Sequence, residues 1–359
     1  VVCEDEEALQ LFLEKQVCEC MKEAGINGSC EVFSSAEELL EKGNPFYDLY
    51  LLDIQLGQMT GMELAEKIRE KDDHAVILFA TNYKEMIRKA FLDPKSDQVL
   101  VVAHRGNWRS APENSVAAID SAIQMGVDIV EIDIHKTKDG QLILMHDDRV
   151  DRTTNGKGLI KDYTLAEIKK LKLKDKDGNL TEHIVPTLEE ALLAGKGQIM
   201  FNLDKAYSVF DEVYAVLEKT GTASLVIMKG GQPVETVKSE FGDYLDKVIY
   251  IPVIGLDGKD GEKKVRDYMT QLHPAAFELV YSDSSSPLPR KVKSIILGKS
   301  RIWYNTLWAS LAGGHEDDQA LKDPDGNYGY LIEELGARIL QTDRPGFMLD
   351  YLRKKGLHD

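Results

Sequence analysis

Short apolar runs recur along the chain and alternate with longer stretches whose apolar positions fall three or four residues apart. The first pattern reads as buried strand and the second as amphipathic helix. Val1 to Cys3, Cys30 to Phe33, Tyr47 to Asp53 and Ala75 to Ala80 are strand-like; Glu6 to Ala24, Ala36 to Lys42 and Met62 to Glu70 are helix-like, with Ser35 as an N-cap. Strands separated by helices imply a doubly wound parallel sheet. A helix-compatible run, Tyr83 to Phe91, and a polar joint, Leu92 to Asp97 with Pro94, lead into a second series.

From Val99 onward there are nine strand candidates: Val99 to Ala103, Ile129 to His135, Leu142 to Met145, Gln198 to Asp204, Ser224 to Met228, Val248 to Val253, Ala275 to Tyr281, Arg301 to Thr306 and Arg338 to Thr342. Most are separated by helix-like segments. Leu142 to Met145 is instead reached through the turn signal Asp139-Gly140, which predicts an antiparallel arm. Eight parallel strands remain, the number a (β/α)8 TIM barrel requires. The expected organisation is a partial, flavodoxin-like doubly wound domain over 1–82, a connecting helix and linker over 83–98, and a barrel with a hairpin arm over 99–359.

The length, 359 residues, suits two domains rather than one core. A formal net charge of −17 argues against a nucleic-acid partner, because phosphate binding relies on an excess of Lys and Arg. No run approaches the roughly 20 apolar residues of a membrane span, so no transmembrane segment is expected. The chain as given has no signal-peptide pattern, which points to a cytoplasmic location. Cys3, Cys18, Cys20 and Cys30 all lie in the first thirty residues without zinc spacing and read as reduced structural thiols. The cysteine-free remainder is compatible with an exported enzyme as well.

In a barrel of this kind the active site lies at the carboxyl ends of the strands. Those ends carry His104-Arg105, Glu131 and Asp133, Asp204-Lys205, Lys229, Glu278, Asn305 with Trp308, and Asp343-Arg344. Folding back at Asp139-Gly140 sets His146 roughly opposite Asp133, with Glu131 one pleat away. The carboxylates are hard oxygen ligands suited to one divalent cation, Mg²⁺ or Ca²⁺, and the histidines are left free for proton transfer. A cation, a base and an acid are what phosphodiester cleavage needs.

The order His104-Arg105-Gly106, Pro112-Glu113-Asn114-Ser115, Glu131-x-Asp133, Thr137-Lys138-Asp139-Gly140 and His146-Asp147 resembles the glycerophosphodiester phosphodiesterase family. The resemblance implies metal-dependent hydrolysis of a small glycerophosphodiester to glycerol 3-phosphate and an alcohol such as choline, ethanolamine, glycerol or inositol. It implies His104 and His146 as the acid/base pair, with the base unassigned, and Glu131, Asp133 and Asp204 as metal ligands. Arg105, Lys205, Lys229 and Trp308 are the candidate substrate-binding residues. Attack by water and attack by a neighbouring glycerol hydroxyl both remain open. The family commonly has Glu in the third ligand position with a lysine two residues later. Here Asp204 is followed directly by Lys205, which strand alternation would aim away from it. Glu113 is placed to orient Arg105 or a histidine, or to favour its helix dipole. His135 reads as structural and 313–318 as a solvated acidic loop. The loops 149–186 and 313–329 are expected to shape the substrate pocket.

In the first segment, Glu4, Asp5, Asp53 and Thr81 fall at carboxyl ends of strands, where they could hold Mg²⁺ and let Asp53 accept a phosphoryl group. They resemble the receiver domain of two-component response regulators. That resemblance implies an alternative role, a signalling protein with a histidine kinase partner whose receiver regulates or localises the barrel. Where the family has a fifth strand ending in Lys-Pro, this chain has Pro94-Lys95 in reverse order and then the barrel motif.

Overall fold

The computed structural model describes every residue except 6, 44, 45, 54, 55, 57, 58, 81, 82 and 359. It divides into two compact units, Val1–Met86 and Ile87–Asp359. In the first, strands β1 (Val2–Cys3), β2 (Val32–Phe33), β3 (Leu49–Asp53) and β4 (Val76–Ala80) form a parallel sheet in the order β2-β1-β3-β4. Helices α1 (Glu7–Glu23), α2 (Ala36–Lys42) and α3 (Gly61–Arg69) provide the crossovers. Ser35 caps α2 by accepting from Glu38 N at 3.1 Å, and Thr60 and Glu63 form a capping box on α3. Leu39, Tyr50, Leu52, Leu64 and Ile68 fill the core between them. Among the described residues there is no fifth strand in this sheet; the chain continues into helix α4 (Tyr83–Leu92).

The second unit is a closed barrel of eight parallel strands. These are β5 (Leu100–Ala103), β6 (Ile129–Lys136), β10 (Met200–Asp204), β11 (Val226–Gly230), β12 (Ile249–Gly255), β13 (Ala276–Val280), β14 (Arg301–Asn305) and β15 (Ala337–Thr342), closed by pairing of β15 with β5 and of β6 with β10. Strand β7 (Leu142–Leu144) is the antiparallel arm on β6. A second hairpin, β8 (Lys172–Lys174) with β9 (Leu180–Ile184), forms inside the stretch read from sequence as loop. Its β9 is largely exposed, so no buried face marked it, although Asp177-Gly178 carried the turn signal.

The arm's register differs from expectation by one residue. Ile134 pairs with Leu144 and His135 with Ile143, so Met145, not His146, faces Asp133 and donates to its carbonyl at 3.0 Å. A turn of Asp139-Gly140 alone would give the expected pairing. The actual loop is one residue longer, Lys138 to Gly140, closed by Gly140 N donating to Thr137 O at 3.0 Å, with Gly140 left-handed at φ 79°.

Inside the barrel, Leu100, Ile129, Met200, Ile227, Ile249, Ala276, Trp303 and Ile339 pack with Ile87 and Phe91 from the end of α4. Most of them open their strands, so Ile87 and Phe91 plug the barrel at the end opposite the strand termini that carry chemistry. Phe91 is fully buried. Phe91→Ala is expected to cost the barrel about 3–5 kcal/mol, whereas Leu92→Ala, at an exposed position, should cost less than about 1 kcal/mol. Urea unfolding followed by tryptophan fluorescence checks both, since Trp303 lies in the same cluster.

Candidate active site

Glu131 and Asp133 project from β6, and Asp204 ends the neighbouring β10, in register with Asp133. One oxygen from each lies within 4.8 Å of the others. Glu131 and Asp133 are both 1% exposed, so their charges repel at low dielectric. Burial first, and then Asp133, push the Glu131 carboxyl well above the usual range. Burial also opposes ionisation of Asp204, but Lys229 and Lys205 hold it below the usual range. Lys229 is itself buried, which disfavours its charge; Glu278 at 3.3 Å and Asp204 at 3.8 Å outweigh that and keep it protonated. Asp133 Oδ1 is buried without a hydrogen bond, and Lys205 Nζ approaches it only as an ion pair at 3.3 Å. An orphaned buried oxygen among three hard carboxylates fits a divalent cation.

In the Pro112-Glu113-Asn114-Ser115 motif, Glu113, Asn114 and Ser115 each have a local task. Ser115 caps α5 (Val116–Met125), accepting from Ala118 N at 3.0 Å. Asn114 donates to Asp133 Oδ2 at 2.9 Å and accepts from Asp133 N at 3.0 Å, fixing the residue by its side chain and its backbone. Glu113 turns to the arginines. Arg105 N donates to Glu131 Oε2 at 2.9 Å, and its guanidinium donates to Glu113 at 3.0 Å and lies 3.6 Å from Asp133. Gly106 completes the turn after β5 at φ 76°, where a Cβ would sit 2.7 Å from Ala118 Cβ; α5 leaves no room for one.

The two histidines are each oriented by an aspartate. His104 Nδ1 lies 2.7 Å from Asp343 Oδ1, which also accepts from Trp108 Nε1 at 2.7 Å; His104 Nε2 lies 4.0 Å from Glu131. Burial alone would lower the proton affinity of His104, but Asp343 and Glu131 raise it above the ordinary value. His146 Nδ1 lies 2.8 Å from Asp147 Oδ1. Arg152 clamps that aspartate at 2.8 and 3.0 Å while reaching Glu113 at 2.7 and 2.8 Å. A continuous chain of ion pairs thus runs from His146 through Asp147, Arg152 and Glu113 to Arg105.

A cavity of about 410 Å³ opens above this rim. Its lining comes from the barrel rim and the loops that follow it, with His104, Arg105, Trp108, Glu113, Trp308 and Asp343, and from the 149–186 segment, with Arg152, Thr153, Lys174, Asp175, Lys176 and Gly178. Of the residues expected to bind substrate, Arg105 and Trp308 line the cavity, whereas Lys205 and Lys229 sit with the carboxylates. Lys205 does not point away from the cluster. Its backbone is left-handed, φ 60°, which breaks strand alternation and turns the ammonium back to Asp133 and the His146 carbonyl. His135 contacts the same carbonyl at 3.2 Å.

The loop 149–186 does reach the cavity. Residues 313–318 are not a uniformly solvated loop, however. Asp317 is 2% exposed, accepts from Thr306, Tyr328, Thr342 and Asp343 N at 2.7–2.8 Å, and so props the segment that holds His104. Sequence reasoning named Asp343 only as a strand end and gave it no role. A usable signal existed: β15 pairs with β5, placing the residue after Thr342 beside the residue after Ala103. Arg152 and Asn114 carried no such signal.

In the first unit, Glu4, Asp5 and Asp53 each bring a carboxylate oxygen within 4.8 Å of the others, with Glu4 and Asp53 buried and Asp5 exposed. Thr81 lies outside the described residues. All four cysteines are free thiols. No helix among the described residues is long and apolar enough to cross a membrane.

In chelated protein the His104 ring is expected to titrate above the ordinary histidine value of about 6.5, and Asp343→Asn should lower the midpoint. A raised folded-state value stabilises the fold fully below the unfolded one, and that stabilisation is lost as pH rises through the folded one. Two-dimensional NMR of the imidazole resonances measures the shift, and an unchanged midpoint would contradict the assigned partner.

Residues 104–230 match the glycerophosphoryl diester phosphodiesterase family, residues 1–101 the response regulator receiver domain, and residues 250–352 a domain of unknown function. A glycerophosphodiester phosphodiesterase of Caldanaerobacter subterraneus subsp. tengcongensis is 45% identical over 109 residues, 30% of this chain and 45% of that one. One of Bacillus subtilis is 45% identical over 108 residues, 27% of this chain and 36% of its own length. The chain thus spans less than half the length of these curated relatives. Among solved structures, a glycerophosphoryl diester phosphodiesterase from Parabacteroides distasonis superposes with a TM-score of 0.61 at 23% identity, covering 76% of this chain and 92% of that one. An Oleispira antarctica phosphodiesterase in complex with sn-glycerol-3-phosphate gives a TM-score of 0.55 at 22% identity, covering 71% and 97%. At these identities the superpositions speak to the shared barrel. Residues 104–230 are thus similar to the glycerophosphoryl diester phosphodiesterase family, residues 1–101 are similar to the receiver domain, and the second unit shares its barrel fold with these solved structures.

Proposed function

We propose that the barrel hydrolyses glycerophosphodiesters to glycerol 3-phosphate and an alcohol. The observation that carries this reading is the convergence of Glu131, Asp133 and Asp204 on one rim with His104 and Arg105. The family match and the named activity of the relatives support it. Glu131, Asp133 and Asp204 would hold one divalent cation, Mg²⁺ or Ca²⁺, which supplies charge neutralisation at the phosphoryl oxygens when bound.

The chain's own residues do the rest. Arg105, anchored by Glu113, presents a planar fork to phosphoryl oxygens. One imidazole takes the proton of the attacking water or glycerol hydroxyl as its oxygen bonds to phosphorus, and the other gives a proton to the departing alkoxide as its P–O bond breaks; where the glycerol hydroxyl attacks, a water then opens the cyclic phosphate with the two proton transfers reversed. Asp343 fixes His104 and Asp147 fixes His146, so each ring keeps one nitrogen for transfer. Lys229 acts as a counter-charge to the acid cluster, and Trp308 covers the cavity beside His104, their ring centroids 6.3 Å apart. The domains proposed are a receiver-like segment, a connecting helix and the barrel.

Release of glycerol 3-phosphate from glycerophosphocholine should require Mg²⁺ or Ca²⁺ and stop with chelator. His104→Ala and His146→Ala should each lower kcat by about 10²–10⁴-fold. Metal-independent release, or full activity in both variants, would refute the mechanism.

A second reading concerns the first unit, and the cluster of Glu4, Asp5 and Asp53 favours it: Asp53 accepts a phosphoryl group and so adjusts the barrel. Acetyl phosphate with Mg²⁺ should produce an acid-stable, base-labile label that Asp53→Asn removes and a change in hydrolysis rate. A chain that takes up no label has a scaffold here, not a switch.

A further inference from the structure

The wall that the cavity borrows from the 149–186 segment differs in charge from the rest of the chain. Residues 149–176 hold nine Lys and Arg against four Asp and Glu, in a protein of net charge −17. Most of the charges facing the cavity are already spent. Arg152 is neutralised by Glu113 and Asp147 and Lys176 pairs with Asp177 at 2.7 Å, while Asp175 keeps its negative charge, held by the backbone N–H groups of Asp177 and Asn179 at 3.0 and 2.8 Å. Lys174 is different. Its ammonium donates to the carbonyl of Asp151 at 2.9 Å, a neutral partner, leaving its charge uncompensated and two donors unused.

Beside it stands Thr153, whose carbonyl accepts from Lys174 N at 2.8 Å. Thr153 lines the cavity, is 6% exposed, and its hydroxyl has no hydrogen-bond partner. An unpaired buried hydroxyl costs stability unless something is meant to meet it. Lysine and hydroxyl together ask for an anionic oxygen.

We propose that Lys174 and Thr153 form the subsite for one substituent of the phosphodiester and select an alcohol that carries an anionic group of its own, a phosphoryl group foremost, over a quaternary ammonium. The inference rests on the phosphodiesterase reading, because the phosphodiester must sit at His104 and Arg105, which line the same cavity as Lys174 and Thr153. A second anionic group on the alcohol is then within the cavity that these two residues share. The basic stretch also steers such a substrate to the mouth of an otherwise acidic molecule.

The test compares kcat/KM for glycerophosphoinositol 4-phosphate, glycerophosphoglycerol and glycerophosphocholine on the full chain with its cation. The parent should prefer the anionic substrate. Lys174→Glu should lower kcat/KM for that substrate, relative to glycerophosphocholine, by roughly ten- to hundred-fold. Thr153→Val, close in shape, should reduce the same preference without reversing it. If all three are hydrolysed and Lys174→Glu leaves their ratios untouched, the subsite is overturned while the activity stands. If none is hydrolysed by folded, metal-loaded protein, the phosphodiesterase reading falls and this inference with it.

Discussion

Two buried carboxylates, Glu131 and Asp133, with the partly exposed Asp204 beside them, set the terms for the rest of the barrel's active end. Each buried one would cost several kcal/mol of desolvation if left alone, and together they repel. The chain answers with fixed partners before any cation arrives. Lys229 stands between Asp204 and Glu278; Glu278 is held by Asn305 at 2.8 Å, and Asn305 by Trp303 at 2.8 Å. Polar order therefore extends from the acid cluster down to the tryptophan of the hydrophobic plug. On the other side, Asn114 and the backbone N–H of Arg105 donate to Asp133 and Glu131. Among the three carboxylates the buried oxygen left without a hydrogen bond is Asp133 Oδ1; nearby, Arg105 Nε and the Asn202 amide are also unmatched.

Holding those partners in place strains the backbone. Among the described residues, four that are not glycine have positive φ, and three of them, Arg105, Asn114 and Lys205, touch this cluster. Left-handed backbone costs about 1–3 kcal/mol per residue. In return, each turn delivers a donor that regular strand or helix geometry would aim elsewhere. Arg105 points its N–H at Glu131, Asn114 reaches both ends of Asp133, and Lys205 escapes the alternation of β10. The fold spends stability where the chemistry is and recovers it in the buried ladder of the barrel.

That division explains what could be read from the sequence. Regular elements announce themselves by period, so all eight barrel strands, the antiparallel arm and the acids at strand ends follow from the pattern of apolar residues. Features set by one irregular residue do not. The His146 register depended on whether the Asp139-Gly140 turn includes Lys138, and the aim of Lys205 on a single φ. Arg152 joins Asp147 to Glu113 across a stretch with no period at all. Asp317 sits in an acidic run whose composition suggests solvent, yet three hydroxyls and a backbone N–H bury it. Such residues are placed by tertiary partners distant in sequence, and a single chain gives no sign of those partners.

The joint between the units shows two patterns competing for the same residues. The receiver match extends through residue 101, and a doubly wound sheet of order 2-1-3-4 has a place for a fifth strand after α4. Leu100 and Val101, the apolar residues that follow, instead pair with Ile339 and Leu340 in the barrel. The energetics favour that choice. As a fifth strand this run would pair along one side and leave another edge behind it. In the barrel it pairs with both β15 and β6, removes two open edges, and delivers His104 to the rim. On β4, Val76 and Leu78 stay 53% and 51% exposed, and among the described residues no strand pairs with the far edge of β4. The run that could have extended the sheet is the one the barrel needs for closure.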